Sequence, residues 1–506
     1  MTCEPILEVK NLSISFEKKV VDGVSFQVYP GQTTAIVGES GSGKTISSMA
    51  LMGLLPDSAK VESGELTQLK KGVEISMIFQ DPMSSLNPSM TVGEQVAEPL
   101  IVHENLPKET AAKKVVELFM EVELPNPDEA FDKYPHELSG GQKQRVMIAM
   151  ALACNPQVII ADEPTTALDV TVQRVILDLL GKIQKERNLG VLFISHDLDV
   201  VSEFADYVVV MRLGKVVEEG ECISIFNNPQ HGYTKELISA KPKRGKAVEQ
   251  NSEVLITANK VSLEYVVRKD FLGRAKEVFN AVKSVSLKVH KGERVGLVGE
   301  SGSGKSSLGK LLLGMEVCNK GDVTWKGSKL EVDDKKSFAE FKRGAQPVFQ
   351  DPFSALNPKM KVGTALKEAL SISGSSQTVA SLLLEVGLSE GDSEKYPGAF
   401  SGGQRQRIVL ARALAMEPEF LVLDESVAAL DLRIQAEILK LLTDIQKKRS
   451  LAFLFISHDL SVIEAVCDRV LIIKNGVIVE EGSTESIFKN PENSYTKELL
   501  NSRPGA

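Results

Sequence analysis

The feature that most restricts how this chain can fold is a phosphate-binding loop that occurs twice. Gly38-Glu39-Ser40-Gly41-Ser42-Gly43-Lys44-Thr45 fits G-x-x-x-x-G-K-[ST], and Gly299-Glu300-Ser301-Gly302-Ser303-Gly304-Lys305-Ser306 repeats it. In such a loop successive backbone N–H groups wrap a polyphosphate, and glycine is needed where a Cβ would obstruct the bend. Lys44 and Lys305 then reach the outer phosphates, while the hydroxyls of Thr45 and Ser306 are offered to Mg²⁺. Each loop needs a buried strand before it and a helix after it, and the apolar runs 34–37 and 295–298 supply the strands. A glycine-rich surface turn could imitate one loop, but it would have to do so twice.

The repetition extends past the loops. Lys44 and Lys305 are 261 residues apart, whereas Ser139 and Ser401, Asp162 and Asp424, and His196 and His458 are each 262 apart. Gln80 and Gln350 are 270 apart, so the second copy has nine more residues before that glutamine and eight fewer after it. Insertions collect in loops and peripheral elements, so the constant spacings mark the frame that carries chemistry. Segment 241–253 is charged and poor in apolar residues, and it reads as a linker between domains 1–240 and 254–506.

Alternation at 7–16 and 255–265 predicts a strand opening each copy, and the apolar runs 158–161 and 420–423 predict buried parallel strands. Helical spacing at Val115, Phe119 and Val122, and again at Val379, Leu382, Leu383 and Val386, places a helical insertion between the glutamine and a Ser-Gly-Gly-Gln motif. The predicted class is α/β: two tandem P-loop NTPase domains, each with a helical subdomain.

Bulk properties exclude several alternatives. With 506 residues, 42% hydrophobic and 25% charged, the chain is globular and long enough for two or more cores. A net charge of −9 argues against a chain devoted to nucleic acid. The five cysteines are widely spaced, with no C-x-x-C pair, which suits a reducing compartment and buried thiols. Glu4 and Glu8 stand where a secretory leader would carry positive charge. The longest apolar run, 146–154, is nine residues, far short of the ~20 that span a bilayer.

Three further motifs surround the loops. Asp162-Glu163 and Asp424-Glu425 each end an apolar run, where carboxylates face the phosphate loop in a parallel sheet. The first carboxylate of each pair can hold Mg²⁺, and the second can orient or deprotonate an attacking water. Ser139-Gly140-Gly141-Gln142 and Ser401-Gly402-Gly403-Gln404 each precede a helix-like stretch, so each serine can cap a helix whose N-terminus attracts anions. His196 and His458 follow the glutamates by 33 residues in both copies.

In this order the motifs resemble an ATP-binding-cassette (ABC) ATPase, and the second half repeats the set. The resemblance covers nearly the whole chain and implies that ATP lies between the phosphate loop of one half and the signature serine of the other. Lys44 would then pair with Ser401, and Lys305 with Ser139. It further implies that Glu163 and Glu425 are catalytic, that His196 and His458 contact the γ-phosphate, and that Gln80 and Gln350 join Thr45, Ser306, Asp162 and Asp424 around Mg²⁺. An aromatic ring stacks on adenine in this family; Phe16 is the candidate in the first half, with Tyr265 and Phe279 competing in the second.

The words Phe79-Gln-Asp-Pro-Met-Ser-Ser-Leu-Asn-Pro88, Phe349-Gln-Asp-Pro-Phe-Ser-Ala-Leu-Asn-Pro358 and Ala167-Leu-Asp-Val-Thr-Val-Gln173 resemble the dipeptide/oligopeptide/nickel importers. So do the tails Asn228-Pro-Gln-His-Gly-Tyr-Thr-Lys-Glu-Leu237 and Asn490-Pro-Glu-Asn-Ser-Tyr-Thr-Lys-Glu-Leu499. That resemblance implies a fused ATPase subunit of a peptide importer, with nickel or glutathione as the alternative cargo, at the cytoplasmic face of the inner membrane. Its partners would be two permease subunits and, indirectly, a substrate-binding protein, with no nucleic-acid partner. Some relatives carry a cysteine cluster after the first tail; no cysteine lies between Cys222 and Cys318, so no iron–sulfur centre is expected. The rival class is a twin-cassette translation factor, which usually has a long charged interdomain helix and basic character. In the second half Ser426 replaces Pro164, Val427-Ala428-Ala429 replaces Thr165-Thr166-Ala167, and Phe400 replaces Leu138, none of which removes a catalytic group.

Overall fold

The computed structural model describes residues 4–165, 168–239, 253–269, 275–331, 333–349, 351–427 and 430–503. Gln350, nearly all of the expected linker, and residues 166–167 and 428–429 of the quoted motifs lie outside them. Two compact units divide at Ala240/Lys241.

In the first unit, Thr33–Val37 is buried at all five positions and sits inside a six-stranded sheet. The sheet order is Ile75–Ile78, Val158–Asp162, Gly190–Ile194, Thr33–Val37, Tyr207–Arg212, Lys215–Glu221. All pairs are parallel except the last. Central strands of such a sheet are covered on both faces, which is why they read as unbroken apolar runs. A second, antiparallel sheet of Lys19–Val28, Leu7–Ser15 and Lys60–Leu66 alternates inward and outward instead. Its inward residues Leu12, Ile14 and Val24 join Ile36, Ile160 and Leu192 in one core. A separate core holds the helical insertion, where Val115, Phe119 and Val122 are fully buried against Ile148 and Leu152.

The second unit repeats this plan: Ala345–Val348, Phe420–Asp424, Ala452–Ile456, Arg294–Val298, Arg469–Lys474 and Val477–Ser483 form its six-stranded sheet. The length differences have specific homes. The extra residues before the glutamine form the helix Lys335–Gly344, which Asp334 caps and which packs Phe341 edge-on against Trp325 at 5.4 Å. The missing residues shorten the insertion: the helix Lys108–Glu121 has 14 residues, its counterpart Val379–Glu385 seven.

The copies also differ beneath the sheet. Arg294, 3% exposed, makes a bidentate pair with Asp468 at 3.0 and 2.6 Å, whereas in the first unit the exposed Asp206 only accepts the Thr33 N–H at 2.8 Å. Removing one partner strands the other charge in a poorly solvated site. Asp468→Ala is therefore expected to cost about 3–5 kcal/mol, and Asp206→Ala only about 1 kcal/mol. Trp325, the single tryptophan and buried in the second unit, reports the first of these directly in urea unfolding. An unchanged midpoint would show that the pair is dispensable.

Candidate active site

Four adjacent parallel strands end at one sheet edge, and each delivers a motif there. Strand Thr33–Val37 runs into the phosphate loop, Val158–Asp162 ends on the carboxylates, Gly190–Ile194 leads to His196, and Ile75–Ile78 leads to Gln80. The second unit makes the same arrangement of loop, carboxylates and histidine with Arg294–Val298, Phe420–Asp424 and Ala452–Ile456, beside the strand Ala345–Val348.

The loops take the backbone path that only glycine follows cheaply: Gly43 and Gly304 have φ of 100° and 104° just before the helices Lys44–Met52 and Lys305–Leu312. A Cβ on Gly38 would stand 2.2 Å from the Met211 carbonyl oxygen, and one on Gly299 2.2 Å from that of Ile473. Lys44, 6% exposed, donates through Nζ to the carbonyls of Gly38 (2.7 Å) and Glu39 (2.9 Å); Lys305 does the same to Gly299 and Glu300, both at 2.7 Å. The Ser42 and Ser303 hydroxyls are buried with no hydrogen-bond partner among the described residues, an environment that suits a polar ligand in the cradle.

Beside each loop a hydroxyl meets a carboxylate. Thr45 Oγ1 donates to Asp162 Oδ1 at 3.4 Å, and Ser306 Oγ to Asp424 Oδ1 at 3.2 Å. These are hard oxygen donors of the type Mg²⁺ takes. Burial, with the adjacent Glu163 charge, pushes the Asp162 carboxyl up to about 6, and burial raises Asp424 in the same direction. A cation at this position would favour the charged form.

Glu163 and Glu425 are held in the left-handed region, with φ of 47° and 48°. For a residue with a side chain this costs about 1–3 kcal/mol and persists where surroundings over-determine it. Their N–H groups donate to Ile194 and Ile456 at 2.9 Å, tying each glutamate to the neighbouring strand. Both oxygens of Glu163 are engaged: Gln80 Nε2 donates to Oε2 at 2.7 Å, and His196 Nδ1 lies 3.0 Å from Oε1. His458 Nδ1 lies 3.3 Å from Glu425 Oε1. Burial pushes both imidazoles toward the neutral form, but the glutamates outweigh it and raise their pKa values above that of a free histidine. The His458 hydrogen bond likewise holds Glu425 below its usual value.

A histidine whose native value is raised stabilises the fold below its unfolded value near 6.5 and loses that contribution as pH climbs through the raised one. Melting curves of nucleotide-free chain should therefore show an advantage of the parent over His196→Gln/His458→Gln at pH about 6 that shrinks by pH about 9. A gap independent of pH would mean that packing, not the ion pair, makes the difference.

Ser139 and Ser401 N-cap the helices Gly140–Leu152 and Gly402–Leu414, each in a reciprocal box with the glutamine three residues on. The second signature glycine has a packing reason: a Cβ on Gly141 would fall 2.6 Å from Val172 Cγ1, and one on Gly403 2.3 Å from Ile434 Cγ2. Gly140 and Gly402 meet nothing closer than 3.5 Å, so at those positions sterics do not demand glycine. Phe16 is half-buried just after the strand Leu7–Ser15. Tyr265 and Phe279 face each other across the hairpin of the second unit; Tyr265 packs on the core and Phe279 is 51% exposed.

Some contacts were not anticipated. Asp169 and Asp431 cap the helices Val170–Arg187 and Leu432–Arg449, and Asp197 and Asp459 cap the helices that follow the histidines. The hydroxyls of Tyr233 and Tyr495 accept the backbone N–H of Glu39 and Glu300. The available signal was the spacing, since the two tyrosines are also 262 residues apart.

Residues 21–166 and 282–428 match the ABC transporter family, so the chain belongs to that family and is an ATP-binding, ATP-hydrolysing protein. Residues 217–261 and 479–506 match the oligopeptide/dipeptide transporter C-terminal region. The chain is 41% identical over 525 residues to a peptidoglycan transport ATP-binding protein, YejF, of Agrobacterium fabrum, covering 98% of this chain and 96% of the relative. It is 40% identical over 560 residues to the glutathione import ATP-binding protein GsiA of Escherichia coli K12, covering 99% and 90%. Among solved structures, an RNase-L inhibitor superposes with a TM-score of 0.64 at 20% identity, over 94% of this chain and 91% of that one. An archaeal ribosome recycling factor gives 0.62 at 20%, over 90% and 86%. At that identity the likeness is one of fold. No helix among the described residues is long and apolar enough to cross a membrane.

Proposed function

We propose that this chain is the fused ATPase subunit of an importer of short peptides, acting peripherally at the cytoplasmic face of the membrane on two permease subunits supplied by other chains. The observation that carries this reading is the tail peptide, which matches the oligopeptide/dipeptide transporter region after both cassettes. Full-length relatives named for peptidoglycan and glutathione transport support it, since both cargoes contain short peptides. Glutathione is the second reading. The ribosome-associated rival has only a fold likeness in its favour.

In this proposal the loop N–H groups with Lys44 and Lys305 hold the phosphates of ATP, and Phe16 and the exposed Phe279 stack on adenine. The signature residues Ser139 and Ser401, with Gly140 and Gly402, present capped helix N-termini to phosphate. Thr45, Asp162 and Gln80, and Ser306, Asp424 and Gln350, hold Mg²⁺, which neutralises charge on the phosphates. Glu163 and Glu425 orient the attacking water and accept its proton. Gln80 and His196 each contact one oxygen of Glu163, and each oxygen keeps a lone pair that can accept from the attacking water. His196, beside Glu163, is placed to contact the γ-phosphate.

The test is uptake in a strain lacking this chain, with labelled dipeptide, glutathione and nickel run in parallel. Loss of dipeptide uptake, restored by the parent and not by Lys44→Ala/Lys305→Ala, is the expected result. Loss of glutathione uptake alone moves the cargo to the second reading, and loss of nickel uptake alone overturns peptides. No change in any of the three defeats the importer assignment.

A further inference from the structure

The tail peptides are a repeated motif that the reaction leaves unused, and each ends at the same place in its own unit. In the first unit Glu218 accepts the N–H groups of Gln230 (2.7 Å) and His231 (3.1 Å), which pins the tail as it enters the helix Gly232–Ser239. In the second, Glu480 accepts those of Glu492 (2.8 Å) and Asn493 (3.2 Å) ahead of Ser494–Asn501. Each anchor delivers a tyrosine, 2% and 4% exposed, to the start of the phosphate loop. Tyr233 OH accepts Glu39 N–H at 3.1 Å, and Tyr495 OH accepts Glu300 N–H at 3.2 Å. A cation covers each ring: Arg212 lies 4.7 Å from the Tyr233 centroid, and Lys474 4.1 Å from that of Tyr495.

The atom contacted is what gives this meaning. Glu39 N–H belongs to the same peptide unit as the Gly38 carbonyl, and that carbonyl is one of the two that hold Lys44 Nζ. A peptide unit is planar, so fixing its N–H fixes the direction of its C=O. The Gly299–Glu300 peptide stands between Tyr495 and Lys305 in the same way. A buried tyrosine opening a short helix would ordinarily be a packing residue with a satisfied hydroxyl. Here the surroundings differ between copies, with His231 against Asn493 and Arg212 against Lys474, while the hydroxyl-to-loop contact is the same in both.

We infer that Tyr233 and Tyr495 are positioning residues for the phosphate loop, setting the peptide plane that presents its lysine to the outer phosphates of the nucleotide. The C-terminal peptide is thereby part of the nucleotide site. This rests on the assignment of Lys44 and Lys305 to ATP, and the test separates the two. Binding of ATP and of inorganic triphosphate, which lacks base and sugar, is measured by calorimetry on the full chain, parent against Tyr233→Phe/Tyr495→Phe. Loss of one hydrogen bond is expected to weaken both ligands by roughly three- to tenfold. Phenylalanine keeps the packing, so melting of nucleotide-free chain should fall by only about 2–4 °C for each hydrogen bond lost; single Tyr→Phe variants serve if the double one melts early. Parent-like affinity for both ligands in variants that fold overturns the inference. Failure of Lys44→Ala/Lys305→Ala to weaken ATP overturns the site assignment beneath it.

Discussion

Replacing Glu163 and Glu425 together by glutamine is expected to slow steady-state ATP hydrolysis by about 10²- to 10⁴-fold, the usual worth of a positioned general base, while ATP binding persists. The substitution is nearly isosteric. A carboxamide can still meet Gln80 and His196, and it occupies the left-handed backbone at φ near 47° as well as glutamate does. What it cannot do is accept a proton from water. Phosphate release by the assembled transporter, with ATP affinity measured alongside, distinguishes loss of chemistry from loss of the site. Residual hydrolysis above a tenth of the parent would mean that the proton goes elsewhere. Single variants are also informative: Glu425→Gln alone should reveal whether the second copy, with Ser426 and Val427 in place of Pro164 and Thr165, contributes turnover.

The second large effect is on binding. Lys44→Ala/Lys305→Ala removes an ammonium from each loop, and with it charge-assisted contacts that are stronger than neutral ones. At about 1.5–3 kcal/mol for each such hydrogen bond, losing two per site weakens ATP by roughly 10²- to 10⁴-fold. The variant also takes the lysine donor from the Gly38 carbonyl and leaves that of Glu39 with the Ser42 N–H, so a lower melting temperature accompanies the lost affinity. Calorimetric titration with ATP reads the effect, and binding within tenfold of the parent would refute it.

Much of this was legible in the sequence because the motifs constrain backbone. A strand, a glycine turn and a helix start leave a distinct pattern, and the runs 34–37, 158–161 and 420–423 fall inside observed strands. The insertion helices were legible from Val115, Phe119 and Val122 because burial against a single core imposes helical spacing. The layout of the second half was less so. Nothing in the residue spacing says that the extra segment is a helix holding Phe341 against Trp325, since propensity does not specify what a peripheral helix covers. Tyr265 and Phe279 compete as adenine-stacking residues in the sequence because they are cross-strand neighbours, and they differ in the structure in burial alone. Tyr233 and Tyr495 stand within the tail peptides, but a contact to a backbone N–H nearly two hundred residues away leaves no local signature.

The two carbonyls that hold each lysine have a consequence for turnover. A cation this enclosed would be costly to leave alone each time product departs. Gly38 and Glu39 hold the Lys44 ammonium, and Gly299 and Glu300 that of Lys305, so in the proposed site the loop itself can keep each charge hydrogen-bonded. In the proposed cycle the loop would then keep its folded path between turnovers, and nucleotide would compete with two backbone carbonyls for each lysine.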